Sequence, residues 1–235
     1  LSAGVMVTAS HNPPRDNGYK VYLGGRDGCS QIVAPADEAI HAAILAVADT
    51  SVVDELPRST GYETADEGVI DAYISRTAEL VSRGEGAPAL APVSFVYTAL
   101  HGVGWEVAQR VFREAGLGEA TVVAEQIAPD GAFPTVAFPN PEEPGAMDLA
   151  FATARAAGAE LIIANDPDAD RLAVAIPDAS TPEGWRRLSG NAVGALLGWR
   201  AAERLEREGR QAKFAASLVS SPALSAVAAA YGVSY

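Results

Sequence analysis

The stretch LIIANDPDADRLAVAI, residues 161–176, decides how the chain is read. An apolar run over 161–164 delivers Asn165 and then carboxylates at alternate positions: Asp166, Asp168 and Asp170. Arg171 follows, and a second apolar run covers 172–176. Carboxylates this close repel one another unless a cation sits among them, and an all-oxygen ligand set suits a hard divalent ion such as Mg2+. The competing reading is a hairpin turn, because Asp and Pro both favour turns between strands. A calcium loop of the EF-hand type fits less well. Its sixth position needs Gly where this chain has Arg171, and the flanks here are strand-like rather than helical.

A second stretch, GVMVTASHNPPRDNGYK over 4–20, lies far upstream. Residues 5–7 read as a short buried strand. Thr8, Ser10, Asn12 and Pro13 form a polar tip, and Asn17-Gly18 is a strong turn signal before a second strand over 19–23. Ser10, His11 and Lys20 around one strand-end loop suit an activated nucleophile with proton-transfer groups. Capping and turn chemistry would use the same residue types.

Together these stretches carry a resemblance. TASHNP with NGYK downstream resembles the phosphoserine loop of the alpha-D-phosphohexomutases, the family of phosphoglucomutase and phosphomannomutase, and NDPDADRLA resembles that family's metal-binding loop. YTALHGVG, residues 97–104, lies between them in the family's order, and NGYKVY with SGNAVGALLG points to the branch holding bacterial phosphomannomutases and phosphopentomutases.

The resemblance implies α/β architecture: three-layer mutase-like domains with mostly parallel mixed sheets, in a truncated multi-domain chain. Residues 1–84 would be the C-terminal part of the phosphoserine domain, 85–188 the metal-binding domain, and 189–235 the beginning of a third. Ser10 would carry the phosphoryl group, and one Mg2+ would be held by Asp166, Asp168 and Asp170 together with Ser10. His11 and Asn12 would orient the phosphoserine, Lys20 would be a proton carrier with a tuned pKa, and Arg171 would close the metal loop. The implied reaction interconverts sugar 1-phosphate and 6-phosphate, with a sugar 1,6-bisphosphate as intermediate and activator. Phosphomannomutase or phosphoglucomutase leads, with phosphopentomutase or a non-catalytic sugar-phosphate- or metal-binding module as alternatives. A metal-dependent phosphatase or nuclease using the Asp cluster alone is a further rival, which would not need Ser10. The late sugar-recognition and distal phosphate-binding elements of the family are not in this sequence, so the chain alone is expected to be inactive.

Composition sets limits on partners. Seventeen basic against 30 acidic residues give −13 over 235 residues, which argues against a nucleic-acid surface. Any phosphate site must therefore rely on local cations, amides or a metal rather than on bulk attraction. The single cysteine, Cys29, excludes an internal disulfide and suits a reducing, cytoplasmic setting. No apolar run is long enough to span a bilayer and no signal-peptide pattern is visible. Oligomeric state is not legible.

The remaining sequence reads as scaffold. A helix is expected over 36–48, carrying a solvated His41. Another is expected over 65–81, burying Val69, Ile70, Tyr73, Ile74, Thr77 and Val81. Residues 82–92 read as a linker. A strand over 93–97, a glycine turn, a helix from Trp105 and a strand over 121–124 make a βαβ unit. The turn's glycines could cradle an anion or simply fit a tight bend, and His101 is a candidate for function because it sits at a strand's carboxyl end. The Pro-rich segment 129–145 resembles a segment of the same family, with Phe-Pro and then Asn-Pro-Glu, and the resemblance implies a place near the substrate cleft. A helix over 147–157 feeds the 161 strand, and 177–190 is expected to be charged and exposed. A helix from Asn191, a strand over 213–219 and a helix over 223–231 complete the chain.

Overall fold

The computed structural model describes residues 2–25, 28–81 and 92–235, so most of the expected linker over 82–92 lies outside the described residues. Two sheets carry the architecture. The first is a small antiparallel sheet of β1 (Ala3–Val7), β2 (Tyr19–Leu23) and β3 (Ser30–Gln31), in that order. Its register pairs Val7 with Tyr19 and Met6 with Lys20, so the hairpin itself brings Lys20 beneath the loop that carries Ser10.

The second sheet is mixed, in the order β5 (Thr121–Val122), β4 (Phe95–Thr98), β6 (Leu161–Asn165), β7 (Leu172–Pro177), β8 (Trp185–Arg187). β4 runs parallel to both β5 and β6, as the βαβ reading requires. β7 and β8 are added antiparallel, since the Asp loop turns the chain straight back beside β6. The chain is thus α/β with a mixed sheet.

Alternation along β4 explains the layering, because successive side chains leave opposite faces of a strand. Val96 joins Ile162, Ala164, Ala173 and Ala175 in one core, covered by α4 (Asp148–Ala157) through the small residues Ala150 and Ala154. Phe95 and Tyr97 face the other way. There they meet Phe112 and Trp105 of α3 (Trp105–Glu114), with ring centroids 5.1 to 5.8 Å apart. Gly158, left-handed at φ 64°, ends α4 and turns the chain toward β6.

Several expectations need correction. Strand β1 forms, but its apolar residues are exposed rather than buried, Val7 at 85%. Helix α1 (Ala36–Ala48) forms where a helix is expected, and none of its residues is buried. Helix α2 (Gly68–Ala78) buries only Ile74 and Ala78 of its apolar residues, because one stripe docks on α3 while Arg110 of α3 pairs with Asp71. Within 177–190, Trp185 lies on β8 and is buried in the main core. The strand expected over 213–219 is reduced to a single parallel bridge, Lys213 with Ser234, since no longer sheet partner lies beside it among the described residues. α5 (Gly190–Glu208), capped by Ser189, packs on α6 (Ala223–Ala230), and an added Cβ on Gly198 would overlap the Leu224 side chain. Among the described residues no helix is long and apolar enough to cross a membrane.

Candidate active site

The Asp loop is a hairpin connection and a carboxylate cluster at once. Asn165 pairs with Leu172, so residues 166–171 bridge the adjacent ends of β6 and β7. Within that bridge one ligand atom from each of Asp166, Asp168 and Asp170 lies within 4.8 Å of the others. Opposite oxygens around Mg2+ stand about 4.2 Å apart, twice the metal–oxygen bond, so the cluster is close to the span that such an ion closes.

The loop is shaped by bonds to its own ends. Arg171 donates its backbone N–H to Asp166 Oδ1 at 3.0 Å, and its carbonyl accepts from the Asn165 amide. The Tyr97 hydroxyl donates to Asn165 Oδ1 at 3.0 Å, which ties the loop to β4. Burial pushes the Tyr97 phenol well above its usual pKa, so it remains a donor. The Arg171 guanidinium stands 3.9 Å from Asp166 and 4.0 Å from Asp170.

Residues 99–104, at the carboxyl end of β4, brace the loop from beside it. Val103 donates its N–H to the Pro167 carbonyl at 2.9 Å. An added Cβ on Gly102 would overlap the Pro167 backbone, and one on Gly104 would stand 2.8 Å from the Tyr97 oxygen. Gly102 serves close approach to the Pro167 backbone and Gly104 close approach to the Tyr97 side chain, which supports the tight-bend reading of the turn. His101 serves structure as well. Its Nε2 lies 2.8 Å from Thr135 Oγ1, its N–H donates to the Gln126 carbonyl, and its own carbonyl accepts from Asp130. Burial lowers its pKa, partly offset by the Asp130 charge.

Ser10 comes from the other sheet. Its Oγ lies 3.1 Å from Asp166 Oδ2, 3.3 Å from Asp168 Oδ1 and 3.0 Å from His11 Nδ1. A hydroxyl has one proton to donate. It can satisfy one of these neighbours, and its lone pairs then face the remaining carboxylate. That surplus of oxygen lone pairs is the chemistry of a cation site, so the donor set fits Mg2+. The same crowding divides the carboxylates. Burial pushes the Asp166 pKa up, and the charge of Asp168 adds to this against the Arg171 N–H bond. Burial also pushes on Asp168, but the Thr8 hydroxyl, the hydrogen bond shared with Asp166 and the Lys20 ammonium outweigh it and hold Asp168 low.

Lys20 Nζ bonds Asp170 Oδ2 at 2.8 Å and stands 3.6 Å from Asp168. The Asp170 bond moves its pKa up, the reverse of what a base working near neutral pH needs. The Asp170 and Asp168 carboxylates hold the Lys20 ammonium in place beside the Ser10 loop.

The sequence reading missed how the loops are pinned. Thr8, read only as turn chemistry, donates to Asp168 Oδ2 at 2.9 Å and accepts the Ser10 N–H at 2.8 Å. Ser10 sits at φ 55° and Ala169 at φ 59°, left-handed conformations uncommon for residues with a side chain. Left-handed non-glycine residues gather at functional sites when their surroundings hold them. The Thr-x-Ser spacing was the available signal. Its long-range partner was not visible.

Comparison with known proteins agrees with this architecture. The description "Phosphoglucomutase/phosphomannomutase, alpha/beta/alpha domain I" matches residues 1–50, and domain II of the same family matches residues 71–179. The chain is 55% identical over 230 residues to the "Probable phosphomannomutase" of Haemophilus influenzae, covering 98% of this chain and 45% of that protein. It is 41% identical to the phosphopentomutase of Mus musculus, over 85% of this chain and 32% of that protein. The crystal structure of a phosphoglucomutase/phosphomannomutase family protein from Burkholderia thailandensis superposes with a TM-score of 0.61 at 27% identity, over 88% of this chain and 38% of that one. The chain belongs to the phosphoglucomutase/phosphomannomutase family. It spans between a third and a half of the length of these relatives.

Proposed function

We propose that this chain is the phosphoserine and metal-binding part of a phosphohexomutase, which moves a phosphoryl group between the 1- and 6-positions of a sugar through a bisphosphorylated intermediate. The observation that carries this reading is the meeting of Ser10 with Asp166 and Asp168 across 156 and 158 residues of sequence. A hydrolase using the carboxylates alone would have no use for a serine at that point.

Ser10 is the residue that carries the phosphoryl group. In the first transfer a sugar hydroxyl oxygen bonds to phosphorus as the P–Oγ bond breaks, and Oγ keeps the electron pair. The proton lost by the sugar hydroxyl ends on Oγ, and His11, with Nδ1 3.0 Å away, is placed to deliver it. In the second transfer the other phosphate of the bisphosphate returns to Oγ and the proton moves back. Mg2+, held by Asp166, Asp168 and Asp170 with the Ser10 oxygen, would supply positive charge to the phosphoryl oxygens as negative charge builds on them. Lys20 adds fixed positive charge, and Arg171 holds the loop that shapes the carboxylates.

Mannose and glucose phosphates are the proposed substrates. Pentose phosphate is the second reading, favoured by the likeness to a protein named phosphopentomutase. The division at 84 and 188 and a cytoplasmic setting belong to the same proposal.

The test is mass analysis of the intact protein after incubation with glucose 1,6-bisphosphate, followed by turnover on mannose, glucose and ribose phosphates. One added phosphoryl group on the Ser10 peptide is expected, absent in Ser10→Ala. Turnover should fall by about 10^4-fold or more in that variant, as for loss of other enzyme nucleophiles. Ser10→Ala turning over at the original rate would sink the reading.

A further inference from the structure

The bond pattern at Thr8 assigns a task that nothing above requires of it. Thr8 lies at the end of β1 and is not among the residues that touch the transferred group in the mutase reading, on which the following rests. Its hydroxyl is engaged both as donor and as acceptor. The proton goes to Asp168 Oδ2 at 2.9 Å and a lone pair takes the Ser10 N–H at 2.8 Å. The Thr8 backbone is fixed in turn, its N–H donating to the Gly18 carbonyl at 3.0 Å, and an added Cβ on Gly18 would overlap the Thr8 carbonyl. Thr8 is therefore a rigid post with one bond to the nucleophile loop and one to the carboxylate loop.

Two consequences follow from that placement. The bond to the Ser10 amide holds Ser10 at φ 55°, a conformation that a serine does not keep without restraint. The bond to Asp168 occupies Oδ2, so that Oδ1 is the oxygen left facing Ser10 Oγ, at 3.3 Å. We infer that Thr8 is a positioning residue, one hydroxyl that sets the conformation of Ser10 and selects the oxygen of Asp168 presented to it. It acts only through those two residues.

The experiment compares Thr8→Val, which keeps the β-branched shape without the hydroxyl, with Thr8→Ser, which keeps the hydroxyl without the methyl. In the intact protein Thr8→Val should lower kcat by about 10- to 100-fold, the range for losing a hydrogen bond to a charged group. KM should stay within about twofold, because substrate binding is untouched. Thr8→Ser should recover kcat to within about threefold of the original. Amide hydrogen exchange at Ser10, measured by NMR without substrate or metal, should quicken about tenfold or more in Thr8→Val and stay slow in Thr8→Ser. If Thr8→Val fails to fold, Thr8→Ala against Thr8→Ser decides by the same ratios. Equal losses in the valine and serine variants, or full kcat and slow exchange in Thr8→Val, would overturn the inference. An unsubstituted protein that neither takes up phosphoryl at Ser10 nor turns over would instead strike the mutase reading, whatever the exchange rates show.

Discussion

The two loops that meet at Ser10 and Asp166 grow from supports of opposite character. The Asp loop springs from β6 and β7, whose alternate residues are sealed under α4, and is braced by residues 99–104 and Tyr97. The Ser10 loop springs from β1, where every described residue is exposed, and it shares no core with the other sheet. Its shape rests on its own turns, Asn12 N–H to the Ala9 carbonyl and Thr8 N–H to the Gly18 carbonyl. Its position rests on five polar crossings: Thr8, Ser10 and Lys20 each to Asp168, Ser10 to Asp166, and Lys20 to Asp170. One half of the site is fixed by packing and the other by hydrogen bonds to the first. A site so divided can part along its polar seam without unfolding either half.

After loss of Ser10 itself, the largest effect should come from cutting the seam at the residue that most of it crosses. Asp168→Ala removes the acceptor of Thr8, a neighbour of Ser10 and Lys20, and one carboxylate of the cluster. Mg2+-dependent turnover of the intact protein should fall by about 10^2- to 10^3-fold, the scale for losing one group that stabilises transition-state charge. Mg2+ titration of steady-state rates is the measurement, and an unchanged rate and Mg2+ midpoint would count decisively against the metal assignment.

A smaller effect should separate the packed half from the open one. Gly102→Ala places a methyl group against the Pro167 backbone, whereas Gly4→Ala on β1 meets nothing within 4 Å. Denaturant melts should show about 1–3 kcal/mol of destabilisation for the first, as for other overpacked sites. The second should stay within about 0.5 kcal/mol. Equal values would break the contrast between the two supports.

The smallest effect concerns pH. Burial lowers the His101 pKa, so the folded state prefers the neutral ring. Below about pH 6.5 the unfolded chain binds a proton that the folded chain does not. Stability should therefore fall as pH drops through that value and be flat above it. Urea melts at about pH 7.5 and 5.5 should show less of this loss in His101→Gln than in the unsubstituted protein. An identical slope in both would mean that His101 is not held neutral.

Much of the site was legible because the chemistry is written in contiguous residues. Asp166, Asp168 and Asp170 stand at alternate positions, and alternate positions on a tight connection converge whatever the rest of the fold does. Lys20 follows Ser10 closely in sequence, and the pairing of Val7 with Tyr19 across the loop 8–18 brings the two together. The errors have one origin. β1 was expected to be buried and the segment 177–190 to be exposed, because hydrophobic pattern reports which face could be buried and not whether another element comes to cover it. His101 and the glycines at 102 and 104 had the right position for chemistry. Their neighbours, Thr135 and Pro167, belong to segments dozens of residues away.

The sequence by itself determined the α/β order, the two chemical loops and the family they resemble, since strand periodicity, turn residues and carboxylate spacing are local properties. Only the tertiary structure decided that Ser10 stands 3.1 Å from Asp166, that Thr8 bridges the two loops, and that Lys20 is pinned as a cation by Asp170. Those contacts join residues about 150 or more positions apart, and their geometry is fixed by how two sheets dock, which no local pattern encodes.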